Sequence, residues 1–217
     1  MVGKEKSLAS LFAKKTKKRV VFLASGRGSN FEAVGERIRS GKLHCDPVGL
    51  IVDQPSAKAV QVAKTLKIPS FILDYKEFSK KEDFHKKLLE KVEELNPDLI
   101  VTVGFMRILS KEFVRRFPLK IINIHPSLLP AFPGIFSQRQ ALEYGAKVSG
   151  CTVHFIDEGV DTGPILLQSP VPIQDGMTEE ELSKKILKEE HKILPLAIGY
   201  FLEDKIQIQG RKVRIIP

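Results

Sequence analysis

The chain has 217 residues, 42% hydrophobic and 28% charged. That balance suits a soluble globular protein long enough to bury a full core, and it excludes a disordered, collagen-like or long coiled-coil chain; no apolar run reaches the roughly 18 residues of a membrane span. The formal charge is +9, but residues 1–19 hold seven Lys/Arg and one acid, so +6 sits in an N-terminal arm and the other 198 residues carry only +3. Such a distribution argues against a nucleic-acid surface and suits a small anionic ligand.

The arm's apolar stretch, Leu8 to Ala13, falls short of a signal-peptide core of about 7 residues. No arginine precedes Arg19, against a mitochondrial presequence. Residues 1–18 are therefore expected to be a solvated basic tail, and residues 19–217 a single domain. Cys45 and Cys151 make no disulfide framework, which fits a reducing cytoplasm.

In chain order, residues 19–25 (RVVFLAS) form a short apolar run rich in β-branched residues, read as a buried strand. Residues 31–40 carry Phe31, Val34 and Ile38 at helical spacing. A strand over 48–52, a helix over 57–66 and a short strand over 70–73 follow. The long amphipathic pattern 80–95, with Phe84, Leu88, Val92 and Leu95, stops at Asn96-Pro97-Asp98. Strand 99–103, helix 112–117 and strand 120–123 complete the alternation, which predicts a mostly parallel, Rossmann-like α/β sheet flanked by helices. Residues 150–156 and 165–172 read as an antiparallel pair joined by a turn-rich loop. Residues 178–200 read as a long helix opened by a Thr178/Glu181 capping box and kinked or split by Pro195. A hairpin around Gly210 ends the chain.

Ligands of open α/β sheets bind beyond the carboxyl ends of the strands. Two such ends carry unusual polar residues. Ser25-Gly26-Arg27-Gly28-Ser29-Asn30 follows a strand and opens a helix, as either a cradle for a monophosphate or a tight turn capped by Ser29 or Asn30. Phe31 rules out a dinucleotide fingerprint, and Asp53, placed where a ribose-binding acid would stand, reads as coincidence. In Asn123-Ile124-His125-Pro126, Asn123 and His125 share a strand face, an amide donor beside an imidazole, as oxyanion stabilisation with proton transfer requires. Asp161, in the loop 157–164, would favour the imidazolium and raise the pKa of His125. Cys151 and His154 lie on opposite strand faces and form no nucleophilic dyad. No paired-Cys or H-E-x-x-H spacing points to a metal.

Four motifs in order, SGRGSN (25–30), GFMRILS (104–110), NIHPSLLP (123–130) with PGIFSQRQALEYG (133–145), and HFIDEGVDTGPI (154–165), make residues 19–200 resemble the folate-dependent phosphoribosylglycinamide formyltransferase family. The resemblance implies that fold with an antiparallel C-terminal extension. It also implies formyl transfer from the co-substrate 10-formyltetrahydrofolate to glycinamide ribonucleotide without a metal, in a cytoplasmic monomer or weak homodimer that binds neither nucleic acid nor membrane. Asn123, His125 and Asp161 match the catalytic trio. Gly28, Ser29 and Asn30 match the phosphate and ribose loop, and Glu190 the acid on the ribonucleotide. Met106, Arg107, Ile108 and Leu109 match the pterin-pocket segment; Asp157, Glu158, Gly159, Val160 and Asp161 match the folate loop; Lys81 stands where a basic residue can meet the folate tail. Phe136-Ser137-Gln138 departs from the family's usual His or Asn and His. A formyltetrahydrofolate hydrolase of this fold would carry a further N-terminal domain, and a methionyl-tRNA formyltransferase a further C-terminal one. A catalytically silent binding module would make Phe136 and Gln138 its altered positions.

Overall fold

The first apolar run forms β1 (Arg19–Ala24), whose side chains from Val20 to Ala24 are wholly buried, in a computed structural model that describes residues 16–217. The basic arm lies, for its first 15 residues, outside the described residues. Then come α1 (Ser29–Arg39), β2 (Asp46–Val52), α2 (Ala59–Leu66), β3 (Ser70–Ile72), α3 (Lys81–Leu95), β4 (Leu99–Thr102), α4 (Lys111–Arg116), β5 (Ile121–His125), α5 (Ser137–Glu143), β6 (Val148–Phe155), β7 (Ile165–Pro172), α6 (Glu179–Leu202), β8 (Ile206–Gln209) and β9 (Lys212–Ile215).

Seven strands make one sheet in the order β3-β2-β1-β4-β5-β6-β7. The first five are mutually parallel, while β6 runs antiparallel to β5 and β7 to β6. The antiparallel pair expected from the sequence thus extends the main sheet, and β8 and β9 form the separate terminal hairpin.

Alternation along β1 divides the core. Val20, Phe22 and Ala24 pack with side chains of α1, α2 and α6, and Val21 and Leu23 pack with Phe84, Leu88 and Val92 of α3 and Phe113 of α4. Each of the larger fully buried side chains, valine, leucine and phenylalanine, stabilises the fold by roughly 1.5–3 kcal/mol. On the α3 and α4 face the apolar pattern breaks at the ends of three adjacent strands. There Thr102 follows Ile100, Asn123 and His125 follow Ile121, and Thr152 and His154 stand on β6. This break in the core positions the site.

Three expectations need correction. Helix α1 starts at Ser29, and its N-cap is Gly28 at φ 78°, with no side-chain cap from Ser29 or Asn30. Helix α6 does have the Thr178/Glu181 capping box, but it is not split at Pro195. Proline removes one intrahelical bond, and buried Leu194, Ala197 and Ile198 on either side hold the helix against the core. Helix α5 is absent from the sequence reading, because its seven residues offer only Ala141 and Leu142 as an apolar signal.

Candidate active site

Two loops at the strand ends are joined by backbone. The Ser25 amide donates to the Gly104 carbonyl (3.1 Å), and Ser25 Oγ accepts from the Met106 amide (2.8 Å). The segment after β1 and the segment after β4 therefore form one rim.

Below it lies a cavity of about 710 Å³, within the usual range for small-molecule sites. Met106, Arg107, Ile108, Leu109, Asn123, His125, Asp157, Gly159, Val160 and Asp161 line it. So do Phe136 and Gln138, from the segment where the chain departs from the family pattern. Met106, Ile108, Ile135, Phe136 and Val160 are exposed apolar side chains at its walls, the kind of surface a flat ring system would cover.

Hydrogen-bond partners fix the polar wall. His154 Nδ1 donates to the Phe155 carbonyl (2.9 Å), which leaves Nε2 to accept from Asn123 Nδ2 (3.2 Å). Asn123 Oδ1 accepts from Thr102 Oγ1 (2.6 Å), so the amide is clamped at both ends and keeps one Nδ2 hydrogen. His125 Nε2 donates to the Phe132 carbonyl (3.0 Å), and its Nδ1 lies 3.3 Å from Asp161 Oδ2. That carboxylate oxygen also accepts from the Gly134 amide (2.8 Å), and Asp161 Oδ1 lies 3.6 Å from His154 Nε2. Asp161 reaches this position from a left-handed backbone at φ 54°, a conformation that costs a non-glycine residue about 1–3 kcal/mol.

The charge balance differs from expectation. Burial pulls His125 below the ordinary imidazole value, outweighing the Phe132 carbonyl and Asp161, which both favour the charged ring. Asp161 does push His125 upward, but less than burial pushes it down. Burial also raises Asp161, yet His154, the Gly134 amide and His125 together hold it below the ordinary carboxylate value.

The remaining nominated residues lie around this wall. Asn30 Nδ2 donates to Glu190 Oε2 (2.7 Å), joining α1 to α6, while Asn30 Oδ1 is buried with no partner among the described residues. Burial raises the Glu190 carboxyl, against the opposing effects of Asn30 and Arg27. A Cβ on Gly28 would stand 2.7 Å from the Ala59 Cα, so the loop admits no side chain there. Gly28, Ser29, Asn30 and Glu190 are outside the cavity lining. Glu158 points away and pairs with Arg115 (2.7 Å). Lys81 is exposed in the first turn of α3, also outside the lining. Asp53 holds its neighbour: its buried carboxylate binds Arg107 Nε (2.7 Å), whose guanidinium stacks 3.9 Å from the Tyr75 ring centre.

Sequence reasoning missed His154. Its position was excluded only as a partner of Cys151, and the register Asn123↔His154 that carries it into the site is a pairing between strands far apart in sequence. The available signal was a polar pair, Thr152 and His154, sharing one face of a largely apolar strand. Both cysteines are free and buried, and burial raises each thiol to about 12. Among the described residues no group of three or more His, Cys, Asp or Glu side chains could hold a metal, and no helix is long and apolar enough to cross a membrane.

The chain matches the formyl transferase family over residues 18–198. It is 42% identical over 185 residues to the phosphoribosylglycinamide formyltransferase of Bacillus subtilis, covering 85% of this chain and 95% of that protein. The trifunctional purine biosynthetic protein adenosine-3 of Drosophila melanogaster is 44% identical over 185 residues, 84% of this chain, but the match spans only 14% of the fly protein. Among solved structures, glycinamide ribonucleotide transformylase 1 of Symbiobacterium toebii superposes with a TM-score of 0.90 at 41% identity, covering 93% of this chain and 95% of that one.

Proposed function

The chain belongs to the formyl transferase family, and from that premise we propose that it transfers the formyl group of 10-formyltetrahydrofolate to the amine of N1-(5-phospho-ribosyl)glycinamide. The products are the N-formyl ribonucleotide and tetrahydrofolate, a step of de novo purine biosynthesis. One observation carries the reading: the Asn123 amide, the His125 ring and the Asp161 carboxylate meet on one wall of a partly apolar cavity. That wall adjoins a glycine loop at a helix start.

The proposed roles follow from the chemistry. The neutral amine of the ribonucleotide attacks the formyl carbon, and the carbonyl oxygen takes up negative charge. The second Nδ2 hydrogen of Asn123 meets that oxygen, since the first is held by His154. His125 rests neutral with Nε2 held by the Phe132 carbonyl; Nδ1, beside Asp161 Oδ2, takes up the proton that the attacking nitrogen loses, and the imidazolium so formed offsets the developing negative charge. The ring, directly or through an ordered water, moves the proton from the attacking nitrogen to N10 as the bond between the formyl carbon and N10 breaks. No covalent enzyme intermediate is needed.

The amides at the start of α1, with Gly28, Ser29 and Asn30, hold the phosphate and ribose. A ribose hydroxyl satisfies Asn30 Oδ1, and Glu190 accepts from the ribonucleotide. The folate ring lies along Met106, Arg107, Ile108 and Leu109, closed over by the loop from Asp157 through Glu158, Gly159 and Val160 to Asp161. Lys81 meets the folate tail. Every one of these residues comes from one chain, so a monomer or weak homodimer suffices, with residues 19–217 as its single domain, working in a reducing cytoplasm.

A two-substrate spectroscopic assay tests this. Tetrahydrofolate should appear only when folate donor and ribonucleotide are both present. Release without the ribonucleotide would instead identify a hydrolase, and no release under either condition a binding module.

A further inference from the structure

His125, Thr152 and Gln168 stand in register on neighbouring strands β5, β6 and β7, one row across the sheet. The row is linked to the loop that follows His125. Thr152 Oγ1 donates to the Ser127 carbonyl (2.7 Å) and accepts from the Leu129 amide (3.0 Å). Gln168 Nε2 donates to the Leu129 carbonyl (2.8 Å) and to Thr152 Oγ1 (3.0 Å). A hydroxyl has one hydrogen and two lone pairs, and an amide nitrogen has two hydrogens. All of these are used, so the network has a single consistent hydrogen arrangement.

The same loop supplies the partners of the reactive groups. Its Phe132 carbonyl takes His125 Nε2, and its Gly134 amide holds Asp161 Oδ2. Ser127 Oγ closes it internally on the Ala131 carbonyl, and Ser137 Oγ fastens Pro126 from outside. The curvature of residues 127–131 therefore sets where the Phe132 and Gly134 groups arrive. Two side chains from β6 and β7 fix that curvature.

We infer that Gln168, acting through Thr152, is a positioning residue for the proton-transfer pair His125 and Asp161. It touches neither substrate in the proposed reading, on which this inference rests, and works by holding the loop that orients both groups. Displacements of about 1 Å at reacting groups can cost on the order of 10²-fold in rate.

Gln168→Met keeps the length of the side chain and removes its donors; Gln168 is exposed, so this variant should fold. Thr152→Val removes the buried hydroxyl, and Thr152→Ser restores it. Both Gln168→Met and Thr152→Val are expected to lower kcat by roughly 10-fold or more while KM for the ribonucleotide stays within about 2-fold, with Thr152→Ser near wild type. In the ligand-free protein, NMR titration of His125 should move further below the ordinary imidazole range in Gln168→Met, because the loop that presents the Phe132 carbonyl and anchors Asp161, both of which favour the charged ring, is no longer held. An unmoved His125 titration with unchanged kcat in Gln168→Met overturns the inference, as does a loss of thermal stability alone. If the wild-type protein transfers no formyl group, the proposed function fails, and the titration still decides the positioning role.

Discussion

On one side of the site Asn123 bonds Thr102 and His154, His125 bonds the Phe132 carbonyl, and the Gly134 amide holds Asp161 beside both rings. On the other side Asn30 and Glu190 share one short bond, Asn30 Oδ1 is buried without a partner among the described residues, and a desolvated carboxyl faces the loop. The first wall is organised before any ligand arrives, as stabilisation of a developing oxyanion requires, because donors that must reorient at the moment of reaction lose most of their advantage. The second holds polar groups whose full complement of bonds a ribonucleotide would supply. The contrast separates a region suited to chemistry from one suited to binding, and substitutions on the two sides should therefore affect different kinetic constants.

Asn123→Ala and His125→Ala should break the organised side most severely. Each is expected to lower kcat by about 10²–10³-fold with circular dichroism and KM for the ribonucleotide little changed; near-wild-type turnover would show that the wall has another purpose. Asp161→Asn should cost less, about 10-fold, and should move the His125 titration further below the ordinary imidazole range, because a group favouring the imidazolium is lost while burial remains. His125 titrating unchanged in that variant would uncouple the pair. His154→Leu removes the acceptor that orients the Asn123 amide and should lower kcat by several-fold through a lost hydrogen bond worth about 1 kcal/mol.

On the binding side, Glu190→Gln should raise KM for the ribonucleotide by a few-fold with kcat held, about the effect of one charge-assisted hydrogen bond weakened. Its stability effect has a defined sign. The folded carboxyl titrates above its unfolded value, so the folded state binds the extra proton between the two, and wild-type stability falls as pH rises through that window. Glutamine has no such loss, so thermal melting should favour Glu190→Gln at neutral pH and lose that advantage in acid; equal melting at both would contradict the burial argument. Smallest of all, Arg115→Ala breaks an exposed pair with Glu158 outside the cavity and should leave melting and kinetics unaltered within error. A clear kinetic loss would bring Glu158 into the site.

Much of this was legible from local pattern. Parallel strands read as short apolar runs because both faces are covered, and the capping box at Thr178 and the breaks at Asn96 and Gly210 are local chemistry. Asn123 and His125 were visible together because two residues on one strand share a face by geometry alone. Helix α5 was not, being short and weakly patterned. The net direction of the His125 shift was missed because proximity to Asp161 can be guessed from motifs, whereas the burial that outweighs it depends on everything packed around the ring.

The sequence by itself determined the order of strands and helices apart from α5, the rim on which the polar motifs would stand and the family to which they belong, since each rests on neighbours along the chain or on motif spacing. Only the tertiary structure decided that His154 orients Asn123, that Asp53 binds Arg107, and that Thr152 and Gln168 hold the loop beside His125. Those contacts depend on strand register and on the depth of burial, which emerge only when segments separated by tens of residues pack into one sheet and exclude water together.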